Sequence, residues 1–313
     1  MAENTYSQDL GDGITLIDAQ YHRPRLAGCY LLQQGEEVAI IESGTAYTLP
    51  HLQQVMRDKG IAPQQVRYII PTHVHLDHAG GVGQLLAWCP QAKVVVHPYG
   101  SRHLIDPQKL IAGTIAVYGE ENYKRLYREL QPVAAARVME SRDGQCLDLA
   151  GRQLQLIDAP GHARHHHLLW DEQSQGLFSG DTFGLGYPEL RRGGEQLMIL
   201  PTTPVQFDPD AWRRTLQSIM TLQPKVIYLT HFGAVEDPTP LQAQLLQQID
   251  DYVALATRGG EVSEMQAELF DYFYRKVVAM GLGFERGALQ QLIGPDLGLC
   301  AQGLQVWRAR EEG

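Results

Sequence analysis

Three imidazoles and a carboxylate fall within six positions in His73-Val74-His75-Leu76-Asp77-His78. Neutral imidazole suits zinc and other borderline divalent metals, whereas carboxylates suit harder ions and can bridge two of them. The stretch therefore reads as a metal-binding loop. Of the twelve histidines, four more fall in residues 162 to 167, and His231 stands alone after an apolar run. Asp181 follows Leu177-Phe178-Ser179-Gly180. Five histidines (His73, His75, His78, His162 and His231) and two aspartates (Asp77 and Asp181) suffice for two divalent ions with open positions for water and substrate. Two such ions, two carboxylates and one hydroxide leave about one positive charge, which would stabilise a developing oxyanion.

Each group needs an element to place it. Val66-Arg67-Tyr68-Ile69-Ile70 has the β-branched and aromatic bias of a buried strand, so His73 to His78 sit at a strand's C-terminal end, with Gly80-Gly81 opening a helix. His162 follows strand 154–157 through Ala159-Pro160-Gly161, Asp181 follows strand 177–179, and His231 follows strand 226–229. Upstream, 14–17, 29–32 and 38–41 read as strands, the last two joined in a hairpin at Gly35. Thr48 and Pro50 start a helix that stops at Gly60, and Asp208-Pro209 starts another with Trp212, Leu216, Ile219 and Met220 on one face. Residues 101 to 130, with Tyr118, Tyr123 and Tyr127, read as helices inserted between the two halves of the sheet system. They would act as a lid or a subunit contact, or simply pack on the body. From about Pro240 the pattern is helical. If 165–167 continue a strand, His165 and His167 point one way and His166 the other.

The chain of 313 residues is 44% hydrophobic and 20% charged, an ordinary globular composition with no apolar run long enough to span a membrane. A net charge of -10 argues against nucleic acid or anionic lipid as partner. The opening residues lack a secretory pattern, so the cytoplasm is expected. Cys29, Cys89, Cys146 and Cys300 are scattered and read as buried free thiols.

The ordered set His73-x-His75-x-Asp77-His78, Gly161-His162, Asp181 and His231 resembles the metallo-β-lactamase superfamily over roughly residues 14 to 235. The resemblance implies an α/β fold, the αβ/βα four-layer sandwich with two sheets face to face, helices outside and the metal site at one edge. It implies that His73, His75 and His162 hold one ion, that Asp77, His78 and His231 hold the other, and that Asp181 bridges them. Zinc is the expected metal, with iron or manganese as alternatives. Residues 1–238 would form the catalytic domain and 239–313 a helical region packed on it. Gly161-His162-Ala163 with His165-His166 and the helical C-terminal region is most similar to glyoxalase II-like hydrolases, and less so to antibiotic-degrading enzymes. One departure is Ile41-Glu42-Ser43-Gly44, where many relatives carry aspartate; Glu42 is expected to hydrogen-bond a ligand or the motif loop. His165 and His166 are further candidates for supporting the ligands.

The chemistry so implied is hydrolysis of an ester, thioester or lactone by a metal-bound hydroxide, with Asp77 orienting the nucleophile and passing its proton on. The alternatives are a persulfide dioxygenase using one iron, a phosphodiesterase, and a regulatory effector that retains the metal site, as in quinolone-signal response proteins. Flavodiiron reductases usually place glutamate where His75 stands, which disfavours them. The expected partner is a small molecule, with a homodimer if the insertion is a subunit contact. Phe183 and Tyr187 in the loop after Asp181, and the aromatics Phe270, Tyr272, Phe273 and Tyr274, are candidates for an apolar substrate pocket, with helix packing as the other reading.

Overall fold

The computed structural model describes residues 6–312, so most of the opening segment read for an export signal lies outside the described residues. In chain order the strands are β1 (Ser7–Gly11), β2 (Ile14–Asp18), β3 (Gly28–Gln34), β4 (Glu37–Ile41), β5 (Val66–Ile70), β6 (Lys93–Val96), β7 (Val138–Glu140), β8 (Cys146–Leu149), β9 (Arg152–Asp158), β10 (His167–Asp171), β11 (Gly176–Gly180), β12 (Arg191–Arg192), β13 (Glu195–Gln196), β14 (Val226–Leu229) and β15 (Gly233–Glu236). The helices are α1 (Leu49–Asp58), α2 (Leu76–Ala79), α3 (Val82–Trp88), α4 (Pro98–Ile105), α5 (Gln108–Tyr118), α6 (Glu120–Tyr127), α7 (Pro209–Thr221), α8 (Pro238–Arg258), α9 (Val262–Ala279) and α10 (Arg286–Glu311). Contacts divide the described residues into two units, one of residues 6–158, 165–180 and 225–235, the other of 159–164, 181–224 and 236–312.

The first unit holds both large sheets. Strands β1 to β7 form one in sequence order, and β15-β14-β11-β10-β9-β8 form the other. Adjacent residues alternate faces along a strand, and the cores follow that rule. Tyr30, Ile41, Ile70 and Val95 of the first sheet meet Leu154, Leu156, Leu169 and Phe178 of the second in one core. Their neighbours Leu31, Ile40, Ile69 and Val94 face the other way, onto Leu52, Val55 and Met56 of α1 and Val82, Leu85 and Leu86 of α3. Pairs such as Ile40-Ile41 and Ile69-Ile70 are apolar at both positions because both faces of the first sheet are covered.

Three details differ from the expectation. The helical insertion begins at Pro98, and since β7 pairs with β6 it lies within the first sheet rather than between two halves. The motif loop forms its own helical turn, α2, before Gly80 and Gly81, so Asp77 and His78 are helical. Strand β10 begins at His167, so the two-residue alternation does not reach His165 and His166.

In the second unit, Asp208 caps α7 by accepting from the Ala211 N–H at 2.9 Å. Helices α8 to α10 bury Leu245, Ile249, Phe273, Ile293 and Leu297. The loop after Asp181 is tied to them through polar side chains: Gln244 and Gln248 of α8 accept from Met198 N–H and Leu200 N–H at 2.6 and 2.9 Å. No described helix is long and apolar enough to cross a membrane. Cys29, Cys89 and Cys300 are buried, while Cys146 is exposed because it lies on the outward side of β8.

Candidate metal centre

Strand β5 ends at Ile70, and the chain turns through Pro71 and Thr72 into His73 and His75. His73 Nε2 and His75 Nδ1 lie 2.7 Å apart, two ring nitrogens directed at one place. On the turn that follows, Asp77 and His78 face His231. His78 Nε2 is 3.4 Å from His231 Nε2, and Asp77 Oδ2 is 3.7 and 3.4 Å from those two nitrogens. A tetrahedral ion about 2.0–2.1 Å from each ligand separates its ligands by roughly 3.3–3.4 Å, so this triangle matches what such an ion requires. The three residues form a group able to hold an ion. Two neutral imidazoles and a carboxylate suit a borderline divalent metal.

The outer nitrogen of each histidine is already engaged. His78 Nδ1 bonds Glu42 Oε1 at 3.0 Å, and His231 Nδ1 donates to the Leu26 carbonyl at 2.7 Å. A proton held on Nδ1 leaves Nε2 with its lone pair for a metal. In the second unit the same arrangement recurs: His162 Nδ1 donates to the Pro201 carbonyl at 2.8 Å, and its Nε2 lies 3.4 Å from Asp181 Oδ2. Trp212 supports that pair, its ring edge-on to His162 and its N–H donating to the Thr182 carbonyl at 2.7 Å. Gly161, at φ +140, is required there because a Cβ would stand 2.5 Å from that of Trp212.

Glu42 is the hub of the first unit's half. Its carboxylate accepts from Thr72 N–H at 3.0 Å, Thr72 Oγ1 at 2.6 Å and Thr230 Oγ1 at 3.0 Å, in addition to its bond with His78. A buried carboxylate is tolerated when hydrogen bonds replace its hydration, and here they do so while joining β4, the motif loop and the residue before His231. Its φ of +63 is a left-handed conformation uncommon for a side-chain-bearing residue. Next to it, Ser43 N–H and Oγ both donate to the His78 carbonyl at 2.8 and 2.9 Å, tethering the end of α2.

Residues 165 to 167 divide the work differently from the alternation expected of a strand. His165 and His166 both stack on His73, at 6.0 and 4.8 Å between centroids, and His165 Nδ1 accepts from Val74 N–H at 3.5 Å. His167 is turned away, bonding Ser141 Oγ at 2.8 Å and the Pro71 carbonyl at 3.0 Å. Burial lowers its pKa to about 3, so it is a neutral strut beneath the loop. Sequence reasoning passed over Thr72 and Thr230, and left the role of His167 open. The threonines carried a readable signal, each standing immediately before a candidate ligand. Phe183 and Tyr187 are buried in the second unit, with the Tyr187 hydroxyl donating to Asp296 at 3.1 Å. Phe270 and Phe273 are likewise buried, and Phe270 stacks on Tyr274 at 6.1 Å.

This fold and this donor set define a class of metal-binding α/β proteins. The model of the metallo-β-lactamase superfamily matches residues 23–231, and the chain belongs to that superfamily. It is 27% identical over 256 residues to the metallo-β-lactamase fold-containing protein ST1585 of Sulfurisphaera tokodaii, covering 79% of this chain and 89% of that one. It is also 27% identical to the human acyl-coenzyme A thioesterase MBLAC2, over 56% of this chain and 64% of that protein. A hydroxyacylglutathione hydrolase of Synechococcus is 31% identical, over 58% of this chain and 59% of its own length. Among solved structures, the family protein TTHA1429 of Thermus thermophilus aligns with TM-score 0.67 and 21% identity over 97% of this chain and 95% of that one, showing the shared fold.

Proposed function

We propose that the protein is a dinuclear metal-dependent hydrolase acting on a carbonyl ester, thioester or lactone. In this reading His73, His75 and His162 would hold one ion and Asp77, His78 and His231 the other, with Asp181 as a further carboxylate ligand. The Asp77, His78 and His231 triangle, with both outer ring nitrogens occupied, is the observation that carries it. Zinc is the metal that best suits these donors. Bound ions of this kind acidify water to a pKa of about 7 and polarise a carbonyl.

The chain's own groups supply the rest. Asp77 is the one ligand candidate with a carboxylate partly open to solvent, 21% exposed, so it can orient a water molecule and carry its proton to the leaving group. Glu42 and the Leu26 carbonyl keep His78 and His231 in the tautomer that presents Nε2. The buried rings of His165 and His166 stack on His73 on one side of the loop. The names of the thioesterase and glutathione-thioester relatives favour a thioester among the three substrate types.

Metal analysis joined to a panel of esters, thioesters, lactones and phosphodiesters tests the proposal. About two equivalents of divalent metal with hydrolysis of a carbonyl substrate is the expected result. One iron with oxygen consumption, or full hydrolysis by metal-depleted protein, would overturn it. Asp181→Ala should lower metal retention.

A further inference from the structure

Helix α5 is apolar on the side it presents to solvent. From Leu110 to Gly119 the chain carries no charge. Leu110, Ile111, Ile115 and Tyr118 turn one side of the helix onto a cluster that holds Tyr123, Tyr127 and Leu76, the residue between the candidate ligands His75 and Asp77. No residue of α5 is fully buried by that contact, and Ala112, Gly113, Ala116 and Val117 remain exposed on the other side, Val117 at 41%. The solvent side of a surface helix is ordinarily charged or polar, as it is in α6, where Glu120, Glu121, Lys124 and Arg125 are exposed. Thr114 adds no polarity, since its hydroxyl donates to the Leu110 carbonyl at 2.9 Å. Ile105, at the end of α4, is exposed as well.

The charges that flank this face lie at its two ends. Lys109 stands in the first turn of α5, and Glu120 and Glu121 open α6 directly after Gly119. Asp106, before the helix, accepts from Gln108 N–H at 3.2 Å, Glu120 is paired with Lys124 at 2.7 Å, and Arg125 donates to Asn122 at 3.0 Å. Lys109 and Glu121 are exposed and have no ion-pair partner among the described residues. A second α5 laid antiparallel across the first by a two-fold axis brings each Lys109 to the partner's Glu121. In that register, centred on Ile115, Val117 falls opposite the partner's Gly113, where a Cβ would meet nothing within 4 Å. A lipid surface suits the face less, because an interfacial helix carries Lys and Arg along its polar side and α5 carries Lys109 alone.

We propose that the exposed side of α5 is a two-fold interface between copies of this chain, held by apolar contact at its centre and by Lys109 against Glu121 at each end. The proposal is independent of the reaction catalysed. A helix of 11 residues is about 16 Å long. A contact of that length falls at the low end of specific interfaces, below about 1,200 Å², so the dimer should form reversibly at about 10 μM. Sedimentation velocity of the full, metal-loaded chain from about 1 to about 200 μM reads this directly. Val117→Lys, which puts a charge at the centre, is expected to raise the dissociation constant at least about tenfold. Lys109→Glu and Glu121→Lys should each weaken the dimer about tenfold, because symmetry turns two attractions into two repulsions, and the two changes combined should restore it. All three side chains are exposed, so the melting temperature of each variant at a concentration where the protein is monomeric should match that of the parent. A monomer at every concentration overturns the proposal, and so does a dimer that Val117→Lys leaves intact. A combined variant no tighter than the single ones overturns the antiparallel pairing. A monomer that sediments with phosphatidylserine vesicles would give the face to a membrane instead and overturn the assignment to a second copy.

Discussion

Glu42 is the residue on which most of the site's geometry depends. Glutamine in its place keeps the shape but replaces one acceptor oxygen by a donor, so the Thr72 N–H bond to Oε2 and the Thr72 hydroxyl, Thr230 and His78 bonds to Oε1 can no longer all be made. Glu42→Gln is expected to weaken metal affinity about 10–100-fold, measured by competition with a chromogenic chelator. Asp77→Asn, which keeps an oxygen for the ion but removes the carboxylate's basicity, is expected to lower kcat about 10²–10⁴-fold at matched metal content. His167 gives a pH prediction. Its pKa is lowered in the fold, so the unfolded chain takes up a proton that the native protein refuses, and stability falls as pH drops from about 6.5 towards about 3. Between pH 7 and 5 this amounts to about 2 kcal/mol, and urea unfolding of metal-free His167→Asn should show a correspondingly smaller loss over that interval.

At the level of elements, the ends of strands place the candidate ligands, and the strands themselves were readable in the amino-acid order. The apolar runs before His73, His162, Asp181 and His231 are β5, β9, β11 and β14, because buried strands show themselves as β-branched runs. What was not readable has a physical cause in each case. Leu26 and Pro201 hold histidines through backbone carbonyls, which no side chain advertises. The helical turn of α2 hides within a ligand motif too short to show a period, and β1, β7 and β15 are short strands with partly exposed faces. The end of β11 offers a test. Gly180 has φ +50, and a Cβ there would lie 2.4 Å from Thr72 Oγ1 and 2.5 Å from His166 Nε2. Gly180→Ala is expected to cost about 1–3 kcal/mol and to loosen metal binding together with stability, whereas an alanine at exposed Gly287, which meets nothing, should leave metal affinity unchanged.

For the molecule as a whole, several of the residues assigned to the ions are buried polar groups, which ties metal binding to folding. Ions that bind the native state alone stabilise it in proportion to the logarithm of their concentration. Dialysis against a chelator is expected to lower the melting temperature by several degrees, with recovery on adding zinc, as calorimetry would show. The family could be read from the chain because four short signatures follow one another in a fixed order. The substrate could not, since the helices α4 to α6 and the region after β15 that would select it are built of ordinary amphipathic patterns.

The four hydrogen bonds at Glu42 also bear on timing. They are made between protein groups alone, so His78, Thr72 and Thr230 are already fixed when an ion arrives. Capture should then proceed in one phase whose rate rises linearly with metal concentration, with no slow isomerisation after the encounter. In the Glu42→Gln protein, stopped-flow mixing should reveal a second, concentration-independent phase as the loop is arranged around the ion.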